Sequence, residues 1–167
     1  MEPVAVDIRP IAEPDWDDVR RIYADGIATG NATFETEVAE REDLEGRWVT
    51  GQVFVAVIAN RVVGWTSVSP TSTRACYRGV GETSVYVDSS VRGRRVGRQL
   101  VAHQVAAAEK AGFWTLQTSI FPENVASLRI HEAAGFRVVG RRDRIAQLHG
   151  VWRDTILLEW RSAGSGS

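Results

Sequence analysis

A strand followed closely by a Gly- and Arg-rich loop is the feature that most restricts the fold of this chain. Val85-Tyr86-Val87 has the β-branched and aromatic character of a strand, and the loop Arg92-Gly93-Arg94-Arg95-Val96-Gly97-Arg98 leads into a helix predicted over residues 98–111. The first N–H groups of a helix have no partner within it and point along its positive dipole end. The segment therefore predicts a site for an anion, such as a pyrophosphate, between a strand and a helix.

The loop differs from the two best-known phosphate-binding motifs. It lacks the Gly-Lys-Ser/Thr ending of a P-loop, and it has no third glycine at the spacing of a dinucleotide fingerprint. Because surface turns are also often rich in Gly and Arg, the loop on its own leaves an ordinary turn open as an alternative.

The order of the remaining apolar segments predicts an α/β protein with a mixed sheet. Antiparallel strands come first and a strand–helix–strand–helix–strand series follows, which indicates a mixed sheet with helices on its faces. Strands are predicted over residues 7–9, 53–59, 62–68, 81–87, 113–120, 136–141 and 151–160. Helices are predicted from residue 14, over 38–49, 98–111 and 124–134, the last ended by Gly135.

Composition narrows the class of protein further. The length of 167 residues suits one domain, expected over residues 1–161, with a flexible Ser/Gly tail over 162–167. A single cysteine excludes an internal disulfide, and no Cys/His spacing suggests a metal, so we expect a cytoplasmic protein without one. Neither a secretion signal nor a membrane span is expected. Residues 61–167 hold 15 of the 20 basic residues against 8 acidic ones, so an anion is expected to bind in this part.

Two blocks of sequence resemble the GNAT superfamily of acetyltransferases. The loop from Arg92 to Arg98 is similar to its R/Q-x-x-G-x-G/A acetyl-CoA motif, and the segment from Asn124 to Phe136 is similar to its N-x-x-S and H/Y-E-x-x-G-F helix. Within the superfamily the chain resembles the phosphinothricin and methionine sulfoximine acetyltransferase-like family, through blocks at 33–36, 81–87, 111–113, 122–124 and 149–154. It departs from the loop motif at Arg95, where a glycine is usual. If that position needs a positive φ, Arg95 is strained there.

The resemblance implies a fold and a cosubstrate. We expect a mostly antiparallel twisted sheet with a V-shaped splay between its two central parallel strands, and acetyl-CoA as the acetyl donor. Backbone groups of the strand, side chains of the second helix and the whole loop are expected to bind it: Val85, Tyr86, Val87, Arg92, Gly93, Arg94, Arg95, Val96, Gly97, Arg98, Asn124 and Ser127.

The resemblance also implies two catalytic residues, Glu82 and His131. An ammonium group must lose a proton before it can attack a thioester, so a general base is useful. Glu82 stands at the family's catalytic glutamate position, among apolar neighbours where partial burial would make it a stronger base; the alternative is an exposed strand-end carboxylate. His131 stands where many members have a tyrosine that protonates the departing thiolate, and acid, base and structural roles remain open for it.

The acceptor is expected to be a small amine that carries a carboxylate. By resemblance Arg74 and Tyr77 would hold that carboxylate and Phe34 would form an apolar wall, with Arg78 as an alternative to Arg74. The family also implies a homodimer. Two alternative functions remain open: a CoA-binding regulatory protein without catalysis, which Arg95 would favour, and nucleic-acid binding, against which the net charge of −1 argues.

Overall fold

A computed structural model describes residues 5–164. In this part of the chain seven strands and four α-helices follow one another. The strands are β1 Asp7–Pro10, β2 Val53–Ile58, β3 Arg61–Pro70, β4 Val80–Val87, β5 Thr115–Ile120, β6 Arg137–Leu148 and β7 Val151–Arg161. The helices are α1 Trp16–Ala28, α2 Arg41–Arg47, α3 Val96–Lys110 and α4 Val125–Ala133.

The strands form one mixed sheet in the order β1-β2-β3-β4-β5-β7-β6. Every neighbouring pair is antiparallel except β4 and β5, which are parallel. These two central strands pair only through residues 80–82 with 115–117, although both continue beyond this point. The expected V-shaped splay between two central parallel strands is therefore confirmed.

Helices cover both faces of the sheet. On one face Val19 and Ile22 of α1 pack against Val55 and Trp65 of the β2–β3 hairpin. On the other face α3 and α4 contribute to a core that also holds residues of the strands on either side of the splay: Val68 of β3, Leu116 of β5 and Leu158 of β7. Few backbone hydrogen bonds can form between β4 and β5. This second core contains residues from both halves of the sheet and so holds them together at the splay.

Two elements differ from the predicted bounds for physical reasons. The helix predicted over 38–49 is only seven residues long, since Trp48 turns into extended backbone to pack its ring on Trp16 at 5.7 Å and Trp65 at 4.9 Å. The strand predicted over 136–141 continues to Leu148, where a turn at His149 and Gly150 leads into β7. Most of the added part is exposed, and it begins with the charged residues Arg142, Asp143 and Arg144, so no alternation of apolar residues marks it as a strand.

The segment predicted as a tail is fixed at its first residue. Ser162 is buried, its backbone N–H donates to the carbonyl of Trp114 at 3.0 Å, and its hydroxyl donates to Glu109 at 2.7 Å. Residues 165–167 of that segment lie outside the described part of the chain.

Candidate active site

The Gly/Arg loop joins β4 to α3 in a conformation that two residues with positive φ create. Gly93 has φ 78° and Arg95 has φ 62°, so the position where glycine is usual does require the left-handed region. Arg95 is the N-cap residue of α3, and Arg92, Arg94, Arg95 and Arg98 are all exposed around the start of this helix. Four guanidinium groups and the free N–H groups of the first helical turn form a positive site suited to phosphate groups.

Val96 and Gly97 are neighbours at the end of the loop and affect its structure in different ways. A Cβ atom on Gly97 would lie 3.1 Å from Ile130 Cδ1 and 3.4 Å from Val87 Cγ2, so a larger residue would push α3 from α4 and β4. The Val96 side chain is buried in the core, which leaves only its backbone to face a ligand.

Asp88 anchors the start of the loop, a role that the sequence reasoning missed. Its buried carboxylate accepts hydrogen bonds from the Ser90 N–H at 2.9 Å and from Arg21 at 2.8 Å. These bonds, that of Ser90 first, lower the pKa of Asp88 to about 2. The Asp-Ser-Ser sequence directly after a strand is a typical signal for such a side-chain cap.

The splay between β4 and β5 opens into a cleft of about 210 Å³. Both Glu82 and Thr83 of β4 line the cleft, although successive residues of a strand face opposite sides of the sheet. Three of the predicted cosubstrate and catalytic positions on α4 and before it also line the cleft: Asn124, Ser127 and His131. Phe34 contributes from the loop after α1, packed edge-on against Phe121 with ring centroids 4.8 Å apart.

The expectation that Glu82 is partly buried was wrong. Its side chain is exposed, because it lies on the face of the sheet that no helix covers at this point. Its neighbours across the sheet on this face are Gln117 of β5 and, beyond it, Glu159 of β7. The carboxylate is therefore open to a ligand that approaches from solvent.

His131 is almost fully buried, with 2% of its surface exposed. Its Nδ1 lies 2.7 Å from the carbonyl oxygen of Ser127, which can only accept, so Nδ1 carries a proton. Burial lowers the pKa of His131, and the Ser127 carbonyl opposes this effect more weakly. The resident form is a neutral imidazole whose Nε2 holds a free lone pair.

Asn124 and Ser127 have local partners. Asn124 caps α4 through its Oδ1, which accepts the Ser127 N–H at 3.2 Å, and its Nδ2 donates to the Asn31 carbonyl at 3.3 Å. Arg153 of β7 reinforces the same junction by donating to the Gly30 carbonyl at 2.9 Å and to Asn31 Oδ1 at 2.8 Å. Sequence reasoning missed Arg153, although it lies within the family-like block at 149–154.

The side chain of Tyr86 lies in the core rather than in the loop site. Its ring stacks on Tyr23 at 4.9 Å and on Trp65 at 4.8 Å, and burial raises its pKa. Beyond Glu82 the described strands leave the β5-facing edge of β4 unpaired, so backbone groups in the stretch with Val85 and Val87 remain available there. The backbone of Tyr86 lies on this edge, and Tyr86 is also among the residues that line the cleft.

Arg74 and Tyr77 lie beside the cleft instead of within it. The two side chains are exposed, and the Arg74 guanidinium stacks over the Tyr77 ring at 5.5 Å. Tyr77 lines a second, larger cavity of about 700 Å³ on the same face of the sheet as Glu82. Arg78, the alternative to Arg74, stacks on Trp114 at 5.3 Å, and Trp114 also lines this cavity.

Comparison with known proteins identifies the family. The sequence profile of the Acetyltransferase (GNAT) family matches residues 15–136, most of the chain. The chain belongs to the GNAT acetyltransferases. It is 31% identical to YwnH of Bacillus subtilis over 86% of this chain and 91% of that one. It is 28% identical to the phosphinothricin N-acetyltransferase of Alcaligenes faecalis, with 93% and 82% covered.

Two further GNAT relatives bear on the substrate and the cosubstrate. The L-methionine sulfoximine/L-methionine sulfone acetyltransferase of Pseudomonas paraeruginosa is 25% identical, over 93% of this chain and 94% of that one. A phosphinothricin acetyltransferase from Sinorhizobium meliloti, solved with acetyl-CoA, is 25% identical and superposes with a TM-score of 0.85 over 93% of this chain and 88% of that one. The chain is thus an acetyl-CoA-dependent N-acetyltransferase.

The residues of this chain fit acetyl-CoA. The positive loop at α3 suits its phosphates, the free edge of β4 suits an extended arm with amide groups, and the cleft at the splay leads from that edge to Glu82. Among residues 5–164 no helix is long and apolar enough to cross a membrane.

Proposed function

We propose that the acceptor is the α-amino group of a small amino acid or amino-acid analogue, of the phosphinothricin or methionine sulfoximine and sulfone type. The observation that carries the proposal is the cleft at the splay, which Glu82, His131 and Phe34 line together. The named relatives act on such amino-acid analogues, which supports the same class here.

In the proposed reaction the amine attacks the thioester carbonyl directly. A C–N bond forms and the C–S bond breaks. The nitrogen loses two protons, one from the ammonium group before attack and one as the amide forms, and the second of these ends on the departing CoA thiolate. Glu82 accepts the proton that the ammonium group loses, since its exposed carboxylate faces the side from which the acceptor enters. Phe34 provides an apolar wall next to the reacting centre and limits its contact with water.

His131 acts first as a proton acceptor in this proposal. Nδ1–H is held by the Ser127 carbonyl, so the neutral ring has no proton on Nε2 to give to a thiolate. It becomes a proton donor only after Nε2 has accepted a proton. The resident tautomer thus favours a base or shuttle role over that of an initial acid.

The cosubstrate contacts are part of the proposal. The amides of Val96, Gly97 and Arg98 and the arginines of the loop would bind the phosphates, and the backbone of Val85 and Val87 would pair with the extended arm. Within the cleft the buried hydroxyls of Thr83 and Thr155 have no protein partner among the described residues, so they are free to bind a ligand.

Replacing Glu82 tests the proposal. We expect Glu82→Gln to lower kcat by about 10²- to 10⁴-fold for phosphinothricin and L-methionine sulfone, with the KM for acetyl-CoA little changed. Release of free CoA measures the rate. Glu132→Gln, an exposed glutamate on α4, is the matched control. Unaltered activity in Glu82→Gln, or CoA binding without transfer to any amine in a panel, would contradict the proposal.

We also propose a homodimer. The support is exposed apolar surface on the β6–β7 hairpin, which is typical of protein–protein interfaces. Five apolar residues there have exposed fractions between 45% and 61%: Val138, Val139, Ile145, Val151 and Trp152. Sedimentation that gives a single 18.4 kDa species at micromolar concentration would contradict it. A cytoplasmic location remains a prediction from the single cysteine.

A further inference from the structure

The larger cavity lies next to the catalytic cleft on the open face of the sheet. Strand register places Val80 and Glu82 of β4 beside Thr115 and Gln117 of β5, and these beside Arg161 and Glu159 of β7. All except Glu82 line the cavity of about 700 Å³, and Glu82 borders it within the same row as Gln117. With strands about 4.8 Å apart, Glu159 lies roughly 10 Å from Glu82, which is within reach of the far end of a bound amino acid.

The far end of this cavity carries a positive charge. Arg161 lines it and is 62% exposed, whereas the Glu159 carboxylate is only 17% exposed. Glu159 accepts hydrogen bonds from Arg161 at 3.3 Å and from Arg137. One carboxylate between two guanidinium groups leaves one net positive charge, and Arg161 keeps N–H groups for a ligand.

One wall of the cavity is aromatic and firmly placed. The Trp114 ring lies against Gly79, where an added Cβ would come within 2.1 Å of it, and Arg78 covers the ring at 5.3 Å. Tyr77 forms a second aromatic part of the lining. Such walls suit a short aliphatic chain, and the charged end of the cavity determines which terminal group that chain can have.

On the basis of the proposed function, we infer that Arg161 selects acceptors whose side chain ends in an anionic group. The amine would lie at Glu82, the aliphatic chain along Trp114 and Tyr77, and the anion at Arg161. A guanidinium group binds a phosphinate or carboxylate through paired charge-assisted hydrogen bonds and gains much less from a neutral sulfone. The enzyme then favours phosphinothricin-type acceptors over methionine sulfone, which has a similar size and no side-chain charge.

Acetylation of this matched pair of acceptors tests the inference. For the unmodified enzyme we expect kcat/KM for phosphinothricin to exceed that for L-methionine sulfone by at least about 10-fold. In Arg161→Gln this ratio falls by about 10- to 100-fold through a higher KM for phosphinothricin, and Arg161→Lys gives an intermediate ratio. Arg141→Gln is the control, because Arg141 lies on β6, pairs with Asp154 and does not line the cavity.

The outcomes separate this inference from the proposed function. Equal kcat/KM values for the two acceptors, or a ratio that Arg161→Gln leaves unchanged, would overturn the role of Arg161 while the proposed function stands. If neither acceptor is acetylated, the proposed function fails. Calorimetric binding of each acceptor in the presence of CoA then tests the cavity directly, and equal affinities for phosphinothricin and the sulfone would overturn the inference as well.

Discussion

Arg95 provides the sharpest test of the loop conformation. An L-residue in the left-handed region costs about 1–2 kcal/mol relative to its usual conformation. Glycine avoids this cost but loses roughly 0.5–1 kcal/mol more conformational entropy on folding. Because Arg95 has φ 62° and is exposed, we expect Arg95→Gly to raise the free energy of unfolding by about 0.5–1 kcal/mol. For a chain of this size the midpoint of thermal unfolding rises by ~1–4 °C.

The same substitution should weaken cosubstrate binding. Because the loop is the proposed site for the CoA phosphates, we expect the loss of one guanidinium group there to lower the affinity for CoA and to make it less dependent on salt. Thermal unfolding gives the stability, and calorimetry with CoA at low and high salt gives the affinity. A protein that is more stable and yet binds CoA less tightly is the expected combination.

Arg94→Gly is the matched control for this experiment. Arg94 is exposed in the same loop and is not among the residues with positive φ, so glycine there brings the entropic cost without relief of strain. We expect lower stability together with the same loss of one charge. Equal destabilisation by Arg95→Gly and Arg94→Gly would refute the assignment of strain to Arg95.

Two further predictions concern titrating groups. Because burial lowers the pKa of His131, the unfolded chain binds more protons than the folded one below about pH 6.5, so stability falls as the pH drops through that range. Urea unfolding at pH 7.5 and pH 5 should show a smaller loss of stability between the two pH values for His131→Gln than for the unmodified protein. An equal loss in both proteins would argue against this role of His131. Asp88→Asn removes the charge that holds Ser90 and Arg21, so we expect a loss of about 1.5–3 kcal/mol at neutral pH and weaker CoA binding. The stability that the Asp88 carboxylate contributes is present above about pH 4 and lost as the pH falls toward 2, which urea unfolding across this range would measure.

Most of the sheet could be predicted from the sequence because its strands have clear apolar patterns and firm turn signals. The loop motif marked Arg95 as a position where glycine is usual and so raised the condition of a positive φ there, which the structure shows at 62°. The second half of β6 could not be predicted in this way. It pairs with β7 beyond an irregular step in register between Arg142 and Ala146, and the exposed charged residues at its start interrupt any apolar alternation.

Contacts between distant segments explain the errors at the site. Glu82 has apolar neighbours in sequence, but its burial depends on what covers the face of the sheet, and no helix does so there. Arg153 and Asn31 are far apart in the sequence, so their contact depends on how the loop after α1 meets β7. The cavity beside Glu82 likewise depends on the register of three strands, which no local pattern reveals.

The short pairing between β4 and β5 divides the sheet into two halves that are joined by few backbone hydrogen bonds. On the side of α3 and α4 a shared apolar core holds the two halves together, and on the other side the junction is open at Glu82. A ligand in the splay contacts both halves, so it links them in addition to taking part in the reaction. At a concentration 100-fold above its Kd such a ligand adds about 2.7 kcal/mol to the stability of the whole fold. The fold is therefore most stable when the ligand of the cleft is bound.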